Sequence, residues 1–167
     1  MNVRSFDPAQ GQAFQGDVAI IPMPGDIAIA RNDEVSPVKG RLILQEGEVT
    51  GHHHAIKLER HFRTSQSIVG DPATATRDAR LRKAFRASSK PVAAASVRMF
   101  RDLTAVNELV RRGILTRADL AVGCLVVEGE PVTVSHEEHD AIRLPAGNYY
   151  VGRQVESAGA EERRVKD

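Results

Sequence analysis

The sequence has one cysteine, no tryptophan and only 4% aromatic residues. A single cysteine excludes an intrachain disulfide and any site built on paired thiolates. Cys124 lies in Val122-Gly123-Cys124-Leu125-Val126-Val127, where it reads as a small buried hydrophobe rather than a reactive thiol. The shortage of aromatics leaves the core to Val, Ile, Leu and Ala. It also removes the stacking groups on which single-stranded nucleic acid is usually held. No apolar run is long enough to cross a bilayer as a helix, and Met1 to Pro8 lacks the apolar stretch of a signal peptide. The expected location is therefore the cytoplasm, of a cell or of an infected cell. A phosphate loop, a dinucleotide fingerprint, a Gly-x-Ser-x-Gly elbow and a Cys-x-x-Cys pair are also missing, so no reaction is assigned from motifs.

The 167 residues, 41% hydrophobic and 27% charged, suit one ordinary globular domain with a core of its own. Net charge is only +1 but is unevenly spread. Between Arg60 and Arg117 there are thirteen Lys or Arg against four Asp or Glu, and elsewhere ten against eighteen. Such a segment either pairs with the acidic remainder of this chain or a neighbouring copy, or meets an acidic partner such as nucleic acid. Self-association or an acidic protein surface is the preferred expectation, because the acidic remainder supplies a complement and aromatic stacking groups are few.

Short β-rich runs punctuated by Gly and Pro dominate both ends of the chain. Strands are expected at Asp17–Ile21, Asp26–Ala30, Arg41–Gln45 and His52–Leu58, then at Ala121–Glu128, Pro131–Ser135 and Asn148–Gln154. Between them, Ala75–Ser88 is free of Gly and Pro and reads as helix. A second helix is expected from Pro91 to Arg112, with Met99, Leu103, Val106 and Val110 as its apolar stripe and Gly113 as its stop. Thr116 is expected to cap a short helical turn through Leu120. The expected architecture is mainly β, a small barrel or sandwich, with a basic helical insertion over about 62–120, α+β overall. Residues 1–15 are expected to be an arm, 16–156 the domain, and 157–167 a charged tail.

The six histidines fall in two groups, His52, His53, His54 and His61, then His136 and His139. On a strand, His52 and His54 share a face and His53 takes the other. The three-residue spacing of His136 and His139 suits a turn. If the groups meet, His52, His54, His136 and His139 offer up to four imidazoles to a divalent metal, zinc or iron being the expected candidates. Three ligands would leave a place for water, with Glu48 or Glu138 as a possible base; Glu137 is also near. A metal-free polar pocket is the alternative at the same residues. Asp17 and Asp26 read as turn residues.

Three blocks resemble a group of small uncharacterised bacterial and phage proteins. They are Gln15-Gly16-Asp17-Val18, Gly47-Glu48-Val49-Thr50-Gly51-His52-His53-His54, and His136-Glu137-Glu138-His139 leading into Leu144-Pro145-Ala146-Gly147-Asn148-Tyr149-Tyr150-Val151-Gly152-Arg153-Gln154. The resemblance covers roughly 15–58 and 125–156. It includes His52, His54, His136 and His139, leaves out His53 and His61, and makes 62–120 look like an addition. The group brings no activity with it. Three functional expectations stand side by side: a metal-binding β domain, a non-enzymatic phage or cellular assembly protein that docks through segment 60–117, and, less favoured, a nucleic-acid-binding module that uses the same basic segment.

Overall fold

The computed structural model describes residues 2–46, 52–58, 95–158 and 161–164, the last eight of these (155–158 and 161–164) as backbone. The strands are β1 (Val3–Ser5), β2 (Ala13–Gln15), β3 (Val18–Pro22), β4 (Arg41–Glu46), β5 (His53–Lys57), β6 (Ser96–Phe100), β7 (Ala121–Glu128), β8 (Val132–Ser135), β9 (Ala141–Leu144), β10 (Gly147–Arg153), β11 (Val155–Ala158) and β12 (Glu161–Arg164). Helix α1 spans Leu103–Arg111. One five-stranded sheet runs β1-β9-β8-β5-β4 and a second runs β2-β3-β10-β7-β6, while β11 and β12 form a hairpin. The fold is mainly β, as expected, but as two open sheets rather than a closed barrel.

Strand alternation creates the layers. Tyr149 and Val151 of β10, with Leu125 and Val127 of β7, meet Leu42, Leu44, Ile56, Val134, Ile142 and Leu144 of the first sheet in one cluster. The intervening Tyr150 and Cys124 point the other way and lie under Ala105, Val106 and Leu109 of α1. The second sheet is thus covered on both faces, which is why β7 is an unbroken apolar run. Each fully buried Leu or Ile contributes roughly 1.5–3 kcal/mol. Burial pushes the Cys124 thiol up to about 12, in keeping with an inert hydrophobe. Gly123 lets β6 approach: a Cβ there would stand 2.9 Å from the Phe100 carbonyl oxygen.

The expected helix from Pro91 to Arg112 is corrected. Ser96–Phe100 is a strand, paired antiparallel with β7 from Ser96↔Glu128 to Phe100↔Cys124. The helix starts only after Asp102, whose Oδ1 accepts the N–H groups of Thr104 and Ala105 at 3.0 and 3.1 Å. A cap at that position leaves Met99 on the strand side, so the stripe joined residues of two different elements. Leu103, assigned to the stripe, is 67% exposed. The end of the helix is as expected, with Gly113 at φ 72. Ala75–Ser88 lies outside the described residues. The part of the expected insertion that is described, from residue 95 to 120, contributes an edge strand and a covering helix to the body of the fold.

Other boundaries differ as well. Within residues 1–15, expected as an arm, β1 pairs in parallel with β9, and β2 pairs with β3. Asp26–Ala30 forms no strand, because a turn bonds Ile27 N–H to Pro24 O at 3.1 Å and the Ala30 N–H goes to Asp102 Oδ2 at 2.7 Å. Thr116–Leu120 is turn and bend rather than helix. Part of the expected tail folds back, with Val155–Ala158 paired to Glu161–Arg164.

Candidate histidine site

Register brings the two histidine groups together. β5 and β8 are antiparallel neighbours with Ala55↔Ser135 and Ile56↔Val134. One step further along the same register sets His54 across from His136. The ring centroids of His54 and His136 are 4.1 Å apart, those of His136 and His139 4.6 Å, and those of His54 and His139 6.2 Å. These three rings are stacked within 25° of parallel, and His52 stands edge-on to His136 at 5.8 Å. The four imidazoles named from the sequence therefore gather at one place. His54 and His136 are buried, with 0% and 2% exposure.

His53 takes the opposite face, as strand alternation requires, and its Nε2 lies 3.7 Å from Glu46 Oε1. Its backbone N–H donates to Glu137 Oε2 at 2.9 Å, so an acid of the second block clasps the backbone of the first. That bond holds the Glu137 carboxyl below the usual carboxylate range. Glu138 Oε2 is 3.6 Å from His52 Nδ1. His61 and Glu48 lie outside the described residues.

The end of the sandwich is closed by the tight hairpin between β2 and β3. Gly16, at φ 52, adopts the left-handed conformation that the turn needs. The turn sends Gln15 and Asp17 into the site, both buried. Gln15 Nε2 donates to Asp140 O at 2.7 Å and to Val134 O at 3.4 Å, linking one sheet to the other. Its amide oxygen is thereby the end that faces His54, 3.0 Å from Nδ1. Nδ1 of His54 consequently carries a hydrogen. The other ring nitrogen, Nε2, is 2.9 Å from Asp17 Oδ1. On His136 the arrangement is reversed: the Glu138 backbone N–H donates to Nδ1 at 3.1 Å, so a neutral ring keeps its proton on Nε2.

Asp17 is the site residue that sequence reasoning missed. As a lone Asp beside glycine it looked like turn chemistry. The signal was its place in the Gln15-Gly16-Asp17 block, in which a two-residue turn sets Gln and Asp on either side of glycine. Its Oδ1, together with His52 Nδ1, His54 Nε2 and His136 Nε2, is shielded from solvent. Among the described residues, no group of three His, Cys, Asp or Glu side chains stands in a ready-made ligand arrangement. The rings stack face to face instead of fanning around a point.

The basic segment behaves differently. All five of its arginines among the described residues face acids of this chain. Arg98 is 4.0 Å from Glu128, Arg101 3.7 Å from Asp33, and Arg117 2.6 Å from Asp119. Arg111 and Arg112 both bind Glu108, and Arg112 also reaches Asp26 at 2.8 Å. Residues 60–94 of the segment lie outside the described residues. Among the described residues, no helix is long and apolar enough to cross a membrane.

Residues 14–85, under half of the chain, match the model of a family described as a domain of unknown function (DUF8820). The match takes in Gln15-Gly16-Asp17 and His52–His54 and ends before His136. No curated protein and no solved structure matches the chain.

Proposed function

We propose that this chain is a small β domain that binds one divalent transition-metal ion among His52, His54, His136 and His139. The observation that carries the proposal is the gathering of four imidazoles from two sequence-distant blocks, with ring centroids 4.1–6.2 Å apart in the pairs His54–His136, His136–His139, His52–His136 and His54–His139. Imidazole nitrogen suits zinc, iron, nickel or copper. Coordination asks the stacked rings to fan out, because in-plane lone pairs on parallel rings do not aim at one point. His136 gives up most: binding by this ring exchanges the Glu138 N–H contact at Nδ1 for a metal bond. Four imidazole ligands would close the shell of a zinc ion, and three would leave a position for water.

The alternative, an assembly protein docking through residues 60–117, draws less support, since its described arginines already face acids of the same chain. The test of the metal proposal is elemental analysis of untagged protein, followed by titration with cobalt(II) as a spectroscopic stand-in for zinc. About one ion per chain and visible cobalt bands are expected. Substoichiometric metal together with a cobalt titration that leaves the spectrum unchanged sinks the proposal.

A further inference from the structure

We propose that the outer face of the first sheet is a docking surface for duplex DNA, held by its phosphates without reading of the bases, an inference independent of the metal reading above. The register sets five side chains in one row across all five strands. Arg41 of β4 pairs with Lys57 of β5, Thr133 of β8 with Arg143 of β9, and Arg143 with Ser5 of β1. The pairs Ala55↔Ser135 and Ile56↔Val134 put Lys57 opposite Thr133 at the next step. All five residues are exposed. Their strand neighbours Leu42, Ile56, Val134 and Leu144 are in the core, so alternation turns the row outward. Helix α1 packs against the second sheet, on the far side of the sandwich.

The charge of this row is not balanced by the chain. Arg31, Arg98, Arg101, Arg111, Arg112 and Arg117, which belong to the second sheet, α1 and their loops, all pair with carboxylates. Arg41, Lys57 and Arg143, with Lys39 in the turn that leads into β4, pair with no acid among the described residues. Arg41 and Lys57 stand directly opposite each other, a placement in which like charges destabilise a sheet. Cations guard edge strands against unwanted pairing, which accounts for Arg41 on β4. It does not account for Lys57 and Arg143, whose strands have neighbours on both sides. An anion laid along the row relieves the repulsion. Residues 59–94 carry eight Lys or Arg against three Asp or Glu, so that part of the sequence brings no complementary charge. Every member of the row offers a hydrogen-bond donor, and Arg, Lys, Ser and Thr are common holders of phosphate oxygens. At about 4.8 Å per strand the row spans roughly 19 Å. That is about five or six phosphates of one DNA strand at about 3.4 Å each. The row holds no aromatic ring on which the bases of a single strand could stack. It holds no carboxylate or amide to accept from ribose 2′-hydroxyls, so RNA gains nothing over DNA.

The test measures binding of the full chain to two fluorescein-labelled DNA duplexes of unrelated sequence by fluorescence anisotropy. About three to four phosphate contacts predict equal affinity for both duplexes and a loss of roughly 40- to 150-fold between about 50 and about 200 mM salt. The triple variant Arg41→Gln/Lys57→Gln/Arg143→Gln should bind at least ~10-fold more weakly at the lower salt and lose most of the salt slope, because fewer counterions are released. Arg31→Gln/Arg101→Gln/Arg117→Gln removes the same charge from paired positions and should keep most of both. The first variant should unfold at the same or a higher urea concentration than wild type, since a like-charge pair is gone, which separates lost binding from lost folding. Backbone amide shifts on adding duplex need no variant and should cluster on β4, β5, β8 and β9. The assignment is overturned by no binding at the lower salt, by equal losses in the two triple variants, or by amide shifts centred outside that face. Tighter binding of single-stranded DNA, of an RNA duplex or of polyglutamate than of the DNA duplex overturns it as well.

Discussion

Two clusters of charge in this molecule can be set side by side. At the histidine end, Asp17 and His54 meet at 2.9 Å, with side chains 5% and 0% exposed. On the helix side, Glu108 meets Arg112 at 2.6 Å, with side chains 27% and 31% exposed, and Arg112 continues to a well-exposed Asp26. The shorter contact belongs to the more exposed cluster. Water screens that cluster, and a pair worth about 1 kcal/mol at 4 Å in bulk solvent is worth about 4 kcal/mol at the effective dielectric near protein. On this ground the cost of breaking one of these pairs is expected to follow burial rather than distance. Between the two extremes stands Asp102, a buried carboxylate whose partners are backbone N–H groups.

The largest effect is expected from His54→Ala. Removing the ring leaves the Asp17 carboxylate in a buried place without its imidazole, and breaking a buried pair costs about 3–5 kcal/mol. Urea unfolding of metal-free protein should show the loss, while His53→Ala, on the partly exposed opposite face, should cost far less. Equal losses in the two variants would mean that the buried and exposed faces of β5 do not differ as described.

Asp102→Ala is next. The carboxylate accepts from Thr104 and Ala105 at the start of α1 and from Ala30 in the facing loop. Loss of a helix cap of this kind costs about 1–2 kcal/mol. The Ala30 bond places the expected value toward the upper end. Asp102→Asn should recover part of it, because the amide oxygen still accepts. If Asp102→Ala proves harmless, the intermediate place of this residue in the comparison is lost.

Asp102 also marks where the sequence was legible and where it was not. The histidine pattern could be read directly: alternation on one strand and a three-residue turn step are local rules, and both survive folding. β7 and β10 were readable for the same reason. The strand at Ser96–Phe100 was not, because Met99 and Val106 fit a helical period equally well. The choice was made by pairing with β7, which is a long-range contact. Asp17 was hidden in the same way. Its role depends on Gly16 turning the hairpin and on His54 arriving from the other sheet. The arginines 98, 101, 111, 112 and 117 looked like one basic surface in the chain, yet their acids come from positions as distant as Asp26 and Glu128.

The smallest effect is expected from Glu108→Gln, although this carboxylate makes the most tightly bonded cluster of the three. Hydrogen bonds from Arg111 and Arg112 hold its carboxyl at about 2, below the ordinary value of 4.5. The folded value is depressed, so the contribution to stability is present above the ordinary value and is lost as pH falls toward about 2. Wild type and variant should therefore have closely similar unfolding midpoints in strong acid and separate slightly as pH rises through the ordinary carboxylate range. Partial exposure keeps that separation small, because solvent-exposed ion pairs contribute little. Raising the salt to about 1 M, where charges are screened over roughly 3 Å, should shrink the separation further. His54→Ala should show no comparable loss of its effect in salt, since its pair is shut away from the solvent ions. A Glu108→Gln effect as large as that of Asp102→Ala, or one indifferent to salt, would show that contact length rather than burial governs these clusters.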